Sequence, residues 1–147
     1  MSAADQLDID TLARTLYGEA RGESIDGMTA VAHVVLNRVA KPGWWTRNKD
    51  DGIPDDTIAA ACRHPWQFSA WNENDPNRQK IEAVTLDDRT FQRCYAVALA
   101  VITGLPGFAD PTDGATHYHT TGVAPDWAEG HQFLSIGNHR FYTDIES

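Results

Sequence analysis

Apolar residues near the start of the chain recur at the spacing of one helix face. The positions are Ile9, Leu12, Ala13, Leu16 and Ala20. This spacing predicts an amphipathic helix that begins near Asp8 and ends at about Gly22. A second helix is predicted from Ser24 or Asp26 up to the Lys41-Pro42-Gly43 segment, because its apolar positions repeat in the same way. These positions are Met28, Val31, Val34 or Val35, Leu36 and Val39.

The middle of the chain alternates between loops and helices. Residues 42–56 are polar apart from two tryptophans and predict a loop, which a short helix follows at about 57–63. Residues 66–71 form an irregular aromatic segment. A long helix is predicted from Asp87 to Thr103, because its apolar residues share one face and Gly104 is suited to the position after a helix end.

The last third changes from helical spacing to strand-like composition. Residues 115–119 predict a strand, and residues 133–136 with 139–143 predict a hairpin around Gly137-Asn138. Helices followed by a small β element define an α+β fold that is mainly helical. We expect residues 1–7 to be a flexible leader and residues 8–147 to form one domain.

Charge and composition exclude several functions. The chain has 147 residues and a formal net charge of −9. It therefore has no excess of Lys and Arg to neutralise the phosphates of a nucleic acid. Its apolar runs are shorter than the roughly 20 residues that cross a bilayer, so no membrane insertion is expected. The N-terminus shows no signal peptide, which predicts synthesis in the cytoplasm. Cys62 and Cys94 are expected to be two buried thiols.

Glu19 is the candidate for chemistry. It lies at the end of the first predicted helix, next to the buried positions Leu16 and Ala20. Partial burial and the negative end of the helix dipole would both raise its pKa, which is what a general acid for glycosidic cleavage needs. On spacing alone, a solvated charged helix end that includes Arg21 and Glu23 is the favoured interpretation, because surface Glu is far commoner than catalytic Glu.

Four motifs in a fixed order along the chain favour the catalytic interpretation of Glu19 over the solvated helix end. Residues 17–23 (Tyr-Gly-Glu-Ala-Arg-Gly-Glu) and a helix that ends in Leu36-Asn37-Arg38 resemble the opening of the SleB-like, spore-cortex-lytic type of cell-wall hydrolase family. Gln67-Phe68-Ser69 resembles a signature of the same family. Residues 114–118, followed by Trp127 and residues 136–142, are similar to its Gly-Ala-Thr and Gly-x-His-x-Phe-Tyr endings. The likeness runs from about residue 10 to residue 143.

The resemblance implies a lysozyme-like catalytic domain that acts on peptidoglycan. It implies cleavage between N-acetylmuramic acid and N-acetylglucosamine by a lytic transglycosylase, with Glu19 as the catalytic residue and no cofactor or metal. The residues expected to line the glycan groove are Gln67, Phe68, Ser69, Thr116, His117, Tyr118 and His119. Tyr142 is expected to offer a hydroxyl to the substrate. Because no export signal or wall-binding repeat is visible, we expect a monomeric phage or prophage endolysin that reaches the wall after release.

A hydrolase would need a second carboxylate. That group lies about 5–5.5 Å from the acid in retaining enzymes and about 6.5–9.5 Å in inverting ones. Glu23 and Asp26 are the candidates nearest in sequence, although Glu23 is better suited to a helix N-terminus or a pair with Arg21. With Glu19 alone, the C6 hydroxyl of muramic acid is the nucleophile and the product is a 1,6-anhydro sugar.

Two rival functions remain open at this stage. His117 and His119 share one strand face, and His131 or His139 could complete a zinc site, but the spacing is not diagnostic. A non-catalytic wall-binding module would present aromatic residues to sugar rings. The tryptophans available for either packing or binding are Trp44, Trp45, Trp66, Trp71 and Trp127.

Overall fold

The structure is a computed structural model, and it describes residues 3–41, 57–64 and 68–145. These residues form five α-helices and three β-strands. The helices are α1 (Ala3–Ala20), α2 (Ile25–Ala40), α3 (Ile58–Arg63), α4 (Asn77–Ala83) and α5 (Arg89–Thr103). The strands are β1 (His117–Thr120), β2 (Leu134–Ile136) and β3 (His139–Tyr142). Two short 3-10 turns lie at Ser69–Trp71 and Asp126–Ala128.

The predicted class, a mainly helical α+β domain with a small β element, is confirmed. Two details differ from the prediction. Helix α1 begins at Ala3, so residues 3–7 of the expected leader are helical. Ala, Gln and Leu in this segment favour a helix intrinsically. Residues 5–7 are exposed, with Leu7 at 49%, and periodicity therefore did not mark them. Helix α4 was not predicted because it buries only Ile81.

Helix α1 is the centre of the helical body and contacts the other four helices. Its apolar face, with Leu12 and Leu16 fully buried, forms the middle of the hydrophobic core. Helix α2 adds Met28, Val31 and Val35 to the same cluster. Every helix in the described ranges is too short or too polar to cross a bilayer.

The ends of the helices have the expected caps. Ser24 accepts a hydrogen bond from the backbone N–H of Gly27 at the start of α2, and Asp88 accepts one from Phe91 at the start of α5. Helix α5 ends at Gly104, whose φ of 71° lies in the left-handed region that favours glycine. These caps fix where the helices end and the connecting segments begin.

The sheet places its two faces in different surroundings. The strand order is β1-β3-β2, and all pairs are antiparallel. Tyr118 and Phe141, which are paired across β1 and β3, lie on the face that packs against the helical core. Because alternate residues of a strand point to opposite faces, His119 and Arg140 lie on the other face, which we call the outer face.

Both cysteines are free and buried, in agreement with their expected state. Burial raises the pKa of the Cys62 thiol to about 12 and that of Cys94 to about 11. Both side chains are therefore protonated and unreactive at neutral pH, and they serve as small core residues.

Candidate active site

The end of α1 touches the 3-10 turn Ser69–Trp71, and Gly18 makes this contact possible. A Cβ atom at Gly18 would lie 2.5 Å from the Ala70 Cβ and 3.0 Å from a methyl carbon of Ile81. Any side chain at this position would therefore push the turn away from the helix. The absence of a side chain at Gly18 thus allows the turn to pack close to the helix beside Glu19.

The Glu19 carboxyl is held by that turn. The backbone N–H groups of Ala70 and Ser69 hydrogen-bond to it, and the residue is half-buried. Burial raises the pKa of Glu19, the negative charge of Asp75 raises it further, and the two N–H groups and Arg38 act in the opposite direction. The net effect is a pKa above the usual value for Glu, as expected for a general acid.

Arg38 supplies a buried positive charge beside this carboxyl. Its residue exposure is 6%, and its Nε donates to the Thr116 carbonyl oxygen at 2.7 Å. The guanidinium carbon lies 4.7 Å from the centre of the Phe68 ring. Phe68 is the residue immediately before the turn that holds Glu19. Arg38 therefore connects α2, the start of β1 and the 68–71 segment around the candidate acid.

Asp75 is the second carboxylate whose charge acts on Glu19. One of its oxygens accepts the backbone N–H of Asn77 at 2.8 Å, at the start of α4. Asp75 also lines a cavity of about 520 Å³ together with Trp71 and Asn72. A cavity of this size is large enough for a sugar ring, and Asp75 relates it to Glu19 through its charge.

Tyr118 is the part of the sheet that faces Glu19. Its ring stacks between Phe68, at a centroid distance of 6.5 Å, and Phe141, at 5.8 Å. Burial raises the pKa of Tyr118 well above its usual value, and the negative charge of Glu19 adds to this rise. Tyr118 is therefore a neutral phenol and a potential hydrogen-bond donor.

Glu23, a candidate second carboxylate, is directed at the turn between β2 and β3. Its oxygens accept the backbone N–H of Asn138 at 2.8 Å and the side-chain amide of Asn138 at 3.2 Å. The Nδ1 of His139 lies 3.1 Å from the same carboxylate. Gly137 leaves room for it, because a Cβ there would lie 2.6 Å from a Glu23 oxygen. Glu23 thus fastens the hairpin to the helical body, whereas Asp26, the other candidate, is exposed in the first turn of α2.

The structure divides the predicted groove residues into two groups. Ser69 and Tyr118 act on Glu19, and Phe68 packs against Tyr118 and Arg38. The Thr116 carbonyl accepts a hydrogen bond from Arg38. The other group, His117, His119 and Tyr142, lies on the outer face of the sheet around Trp127. Gln67 lies outside the described residues, as do Trp44, Trp45 and Trp66.

The histidines do not converge on a metal site. His119 uses both ring nitrogens, one with the Thr120 carbonyl at 2.6 Å and one with the Tyr142 hydroxyl at 2.7 Å. Burial, with the Arg38 charge as a smaller cause, lowers the pKa of His117 to about 4. In the ranges that the structure describes, no three His, Cys, Asp or Glu side chains are arranged to hold one ion.

Two residues of the site were missed in the sequence. Arg38 did carry a signal, because it lies seven residues after Val31 on the apolar face of α2, where a charge needs a buried partner. Asp75 carried none, since it is one of several polar residues in a loop. Its relation to Glu19 depends on tertiary structure alone.

Replacing Gly18 with alanine is expected to lower both activity and stability. The new methyl group would force Ala70 and the turn away from α1, and overpacking of this kind costs about 1–3 kcal/mol. The N–H groups that hold Glu19 would move with the turn. Gly22→Ala is the control, because a Cβ at that position meets no atom within 4 Å. Thermal unfolding and catalytic turnover of both variants test this, and equal behaviour would contradict the role given to this contact.

A helical domain that holds one half-buried carboxyl between backbone N–H groups and an arginine has the features of a general acid–base enzyme. Comparison with known proteins gives the family. The sequence profile of the cell wall hydrolase family matches residues 22–142, and the chain belongs to that family. Glu19 lies just before the matched range.

Relatives among characterised proteins are spore enzymes. The chain is 31% identical to the spore cortex-lytic enzyme of Halalkalibacterium halodurans over 137 residues, which cover 91% of this chain and 34% of that protein. It is 29% identical to the spore cortex-lytic enzyme of Bacillus subtilis over 136 residues, which cover 91% of this chain and 37% of that protein. The chain therefore spans little more than a third of the length of these relatives.

Solved catalytic domains match the whole fold. The catalytic domain of the Bacillus cereus SleB protein superposes with a TM-score of 0.62 and 29% identity, covering 93% of this chain and 90% of that one. The catalytic domain of the germination-specific lytic transglycosylase SleB from Bacillus anthracis gives a TM-score of 0.63 and 29% identity, covering 93% and 94%. The described architecture is thus that of a SleB-type catalytic domain.

Proposed function

We propose that this chain cleaves the glycan strand of peptidoglycan between N-acetylmuramic acid and N-acetylglucosamine, as a lytic transglycosylase with Glu19 as its acid and base. The observation that carries the proposal is the raised pKa of a Glu19 carboxyl held by Ser69 and Ala70. Similarity to a domain named as a lytic transglycosylase supports the reaction type. The protein accordingly acts at the bacterial cell wall.

The reaction needs one carboxyl in two states. Protonated Glu19 donates its proton to the glycosidic oxygen as the bond from that oxygen to C1 of muramic acid breaks. The resulting carboxylate takes the proton of the C6 hydroxyl while that oxygen bonds to C1. The N-acetylglucosamine end leaves as an alcohol, the muramic acid end closes to a 1,6-anhydro sugar, and Glu19 is protonated again. No water is consumed.

The surroundings of Glu19 suit both states. Burial and the Asp75 charge favour the protonated acid before bond cleavage. The N–H groups of the turn and the Arg38 guanidinium stabilise the carboxylate that exists between the two proton transfers. Balanced influences of this kind keep the acid and the base forms close in free energy, as a group that must be both requires.

Part of the glycan groove is proposed to be the cavity that Trp71, Asn72 and Asp75 line. Asn72 offers side-chain hydrogen-bonding groups to hydroxyl and acetamido groups. Phe68 and Tyr118 form an aromatic wall on the sheet side of Glu19. A strand bound between these two regions would pass the carboxyl that is to protonate it.

Analysis of the products tests the reaction. Purified peptidoglycan is digested with the wild-type protein, and the soluble muropeptides are weighed by mass spectrometry. We expect muramic acid ends that lack one water relative to ordinary reducing ends. Reducing ends would instead indicate a muramidase, with Asp75 as the carboxylate to investigate. Cleaved stem peptides, or no products, would contradict glycan cleavage altogether.

A further inference from the structure

A second cavity lies on the outer face of the sheet. Its volume is about 310 Å³, and its walls include His119 and Tyr142 from the strands, Pro125 from the following loop, Phe133 and Arg140. None of these five residues is among the groups that hold Glu19 or shift its pKa. Glu19 is also not among the residues that line this cavity.

Arg140 has no polar partner in this cavity. Its Nε is buried and makes no hydrogen bond, and within the described residues its guanidinium forms no ion pair. The contact of this group is with the Phe133 ring, at 4.5 Å from the centroid. The other described arginines that are at least partly buried all donate hydrogen bonds; they are Arg14, Arg21, Arg38 and Arg78.

An unpaired buried donor is costly in free energy, so the buried Nε–H of the half-buried Arg140 indicates a missing acceptor. A guanidinium presents its N–H groups as a planar fork that matches a carboxylate. Phe133, which is 48% exposed, and Trp127, which is 37% exposed, add apolar surface near the same place. The arrangement fits a ligand that has a carboxylate beside an apolar group.

We propose that this cavity binds a carboxylate of the stem peptide attached to muramic acid. The inference rests on the proposed function, because it takes peptidoglycan as the substrate. In a peptide-bearing strand the lactyl carboxyl is used in the amide bond, so the negative charges lie on the peptide. Asp126 and Glu129, both exposed, also line the cavity and can pair with an ammonium group of the same peptide. The mixed lining therefore suits a peptide with groups of both signs.

Calorimetric titration of the wild-type protein with a purified disaccharide–peptide tests the proposal. A single GlcNAc–MurNAc–peptide unit contains no bond from muramic acid to a following sugar, so binding is measured without turnover. We expect Arg140→Gln to weaken binding about tenfold or more, as the loss of a charge-assisted pair does. Arg93→Gln, an exposed arginine on α5, is the matched control and should bind like the wild type.

The peptide-free disaccharide separates the two possible carboxylates. It carries a free lactyl carboxylate, and we expect the wild type to bind it more weakly and without dependence on Arg140. Binding of this sugar that is as tight and equally dependent on Arg140 would overturn the assignment to the stem peptide. Equal binding of the disaccharide–peptide by Arg140→Gln and the wild type, or no binding by either, would overturn the site.

Phe133→Ala provides a second variant in case Arg140→Gln does not fold. Its side chain is half exposed, so the fold should survive while binding of the disaccharide–peptide weakens. Digestion of whole peptidoglycan by the wild type distinguishes a failure of the peptide-binding site from a failure of the proposed function. Release of anhydro products together with unaltered binding in the variants would leave the proposed function in place and remove this inference. Absence of any glycan cleavage would instead remove the proposed function.

Discussion

Replacing Glu19 with glutamine is expected to lower turnover of peptidoglycan about a thousandfold and to leave the fold intact. Glutamine has nearly the same shape, and its carbonyl oxygen can still accept the N–H groups of Ser69 and Ala70. It has no acidic proton for the glycosidic oxygen, and it cannot take the proton of the C6 hydroxyl. General acid–base catalysis contributes roughly 10²–10⁴-fold, and this group is needed in both roles.

Release of soluble muropeptides from purified peptidoglycan measures the effect. Glu82→Gln is the matched control, because Glu82 is exposed on α4 and its carboxylate pairs with Arg78, one helical turn earlier. It should retain wild-type activity. Thermal unfolding curves of both variants should overlap with that of the wild type. A Glu19→Gln variant that keeps a tenth or more of the activity would show that another group supplies the proton.

The helical part of this fold could be predicted because each long helix buries one continuous face. Residues 9–20 and 25–39 alternate apolar and polar positions with the helical period, and α1 and α2 follow them closely. The start of α1 and the whole of α4 could not be predicted in this way. Residues 5–7 are exposed, and α4 buries only Ile81, so neither segment has an apolar pattern to detect.

The candidate site was predictable only for the residues that have a local signal. Glu19 has one, because it lies in the Tyr-Gly-Glu-Ala-Arg-Gly-Glu motif of residues 17–23. The groups that give Glu19 its properties come from elsewhere in the chain: the turn at Ser69 and Ala70, and Asp75 before α4. No spacing relates these segments to α1, since long-range packing brings them together.

The histidine-rich strand shows the limit of motif-based assignment. The resemblance placed residues 116–119 together along one groove, but a strand points alternate side chains in opposite directions. Tyr118 consequently faces Glu19, and His119 lies on the outer face with Tyr142. A motif identifies which segment is near the substrate, while the pleat of the strand decides which of its side chains can reach the carboxyl.

Replacing Arg38 with methionine should have the second largest effect. The change removes a buried charge and leaves the Thr116 carbonyl oxygen without its donor at 2.7 Å. Loss of one member of a buried charged group costs about 3 kcal/mol of stability. Turnover should fall about tenfold or more, because the Glu19 carboxylate formed between the two proton transfers loses its positive neighbour. Arg38→Lys keeps a positive charge at this position and should retain part of the stability and part of the turnover.

The pH dependence distinguishes an electrostatic role from a purely structural one. The active form of Glu19 in the first step is the protonated acid, so kcat/KM falls as the pH rises through its pKa. Arg38 lowers the pKa of Glu19, and the Asp75 charge raises it. Removing Arg38 should therefore move the alkaline limb of the kcat/KM profile to higher pH, and Asp75→Asn should move it to lower pH.

Opposite shifts in the two variants are the decisive result, because damage to the fold alone would lower the whole profile without moving its limbs in opposite directions. Both profiles are compared with those of Arg38→Lys, in which the positive charge is kept and the limb should stay near its wild-type position. Limbs that coincide in Arg38→Met, Asp75→Asn and the wild type would mean that neither charge controls the protonation of Glu19. Burial and the hydrogen bonds of the turn would then account for its pKa without either charge, and Arg38 would act by holding Thr116 and Phe68 in place.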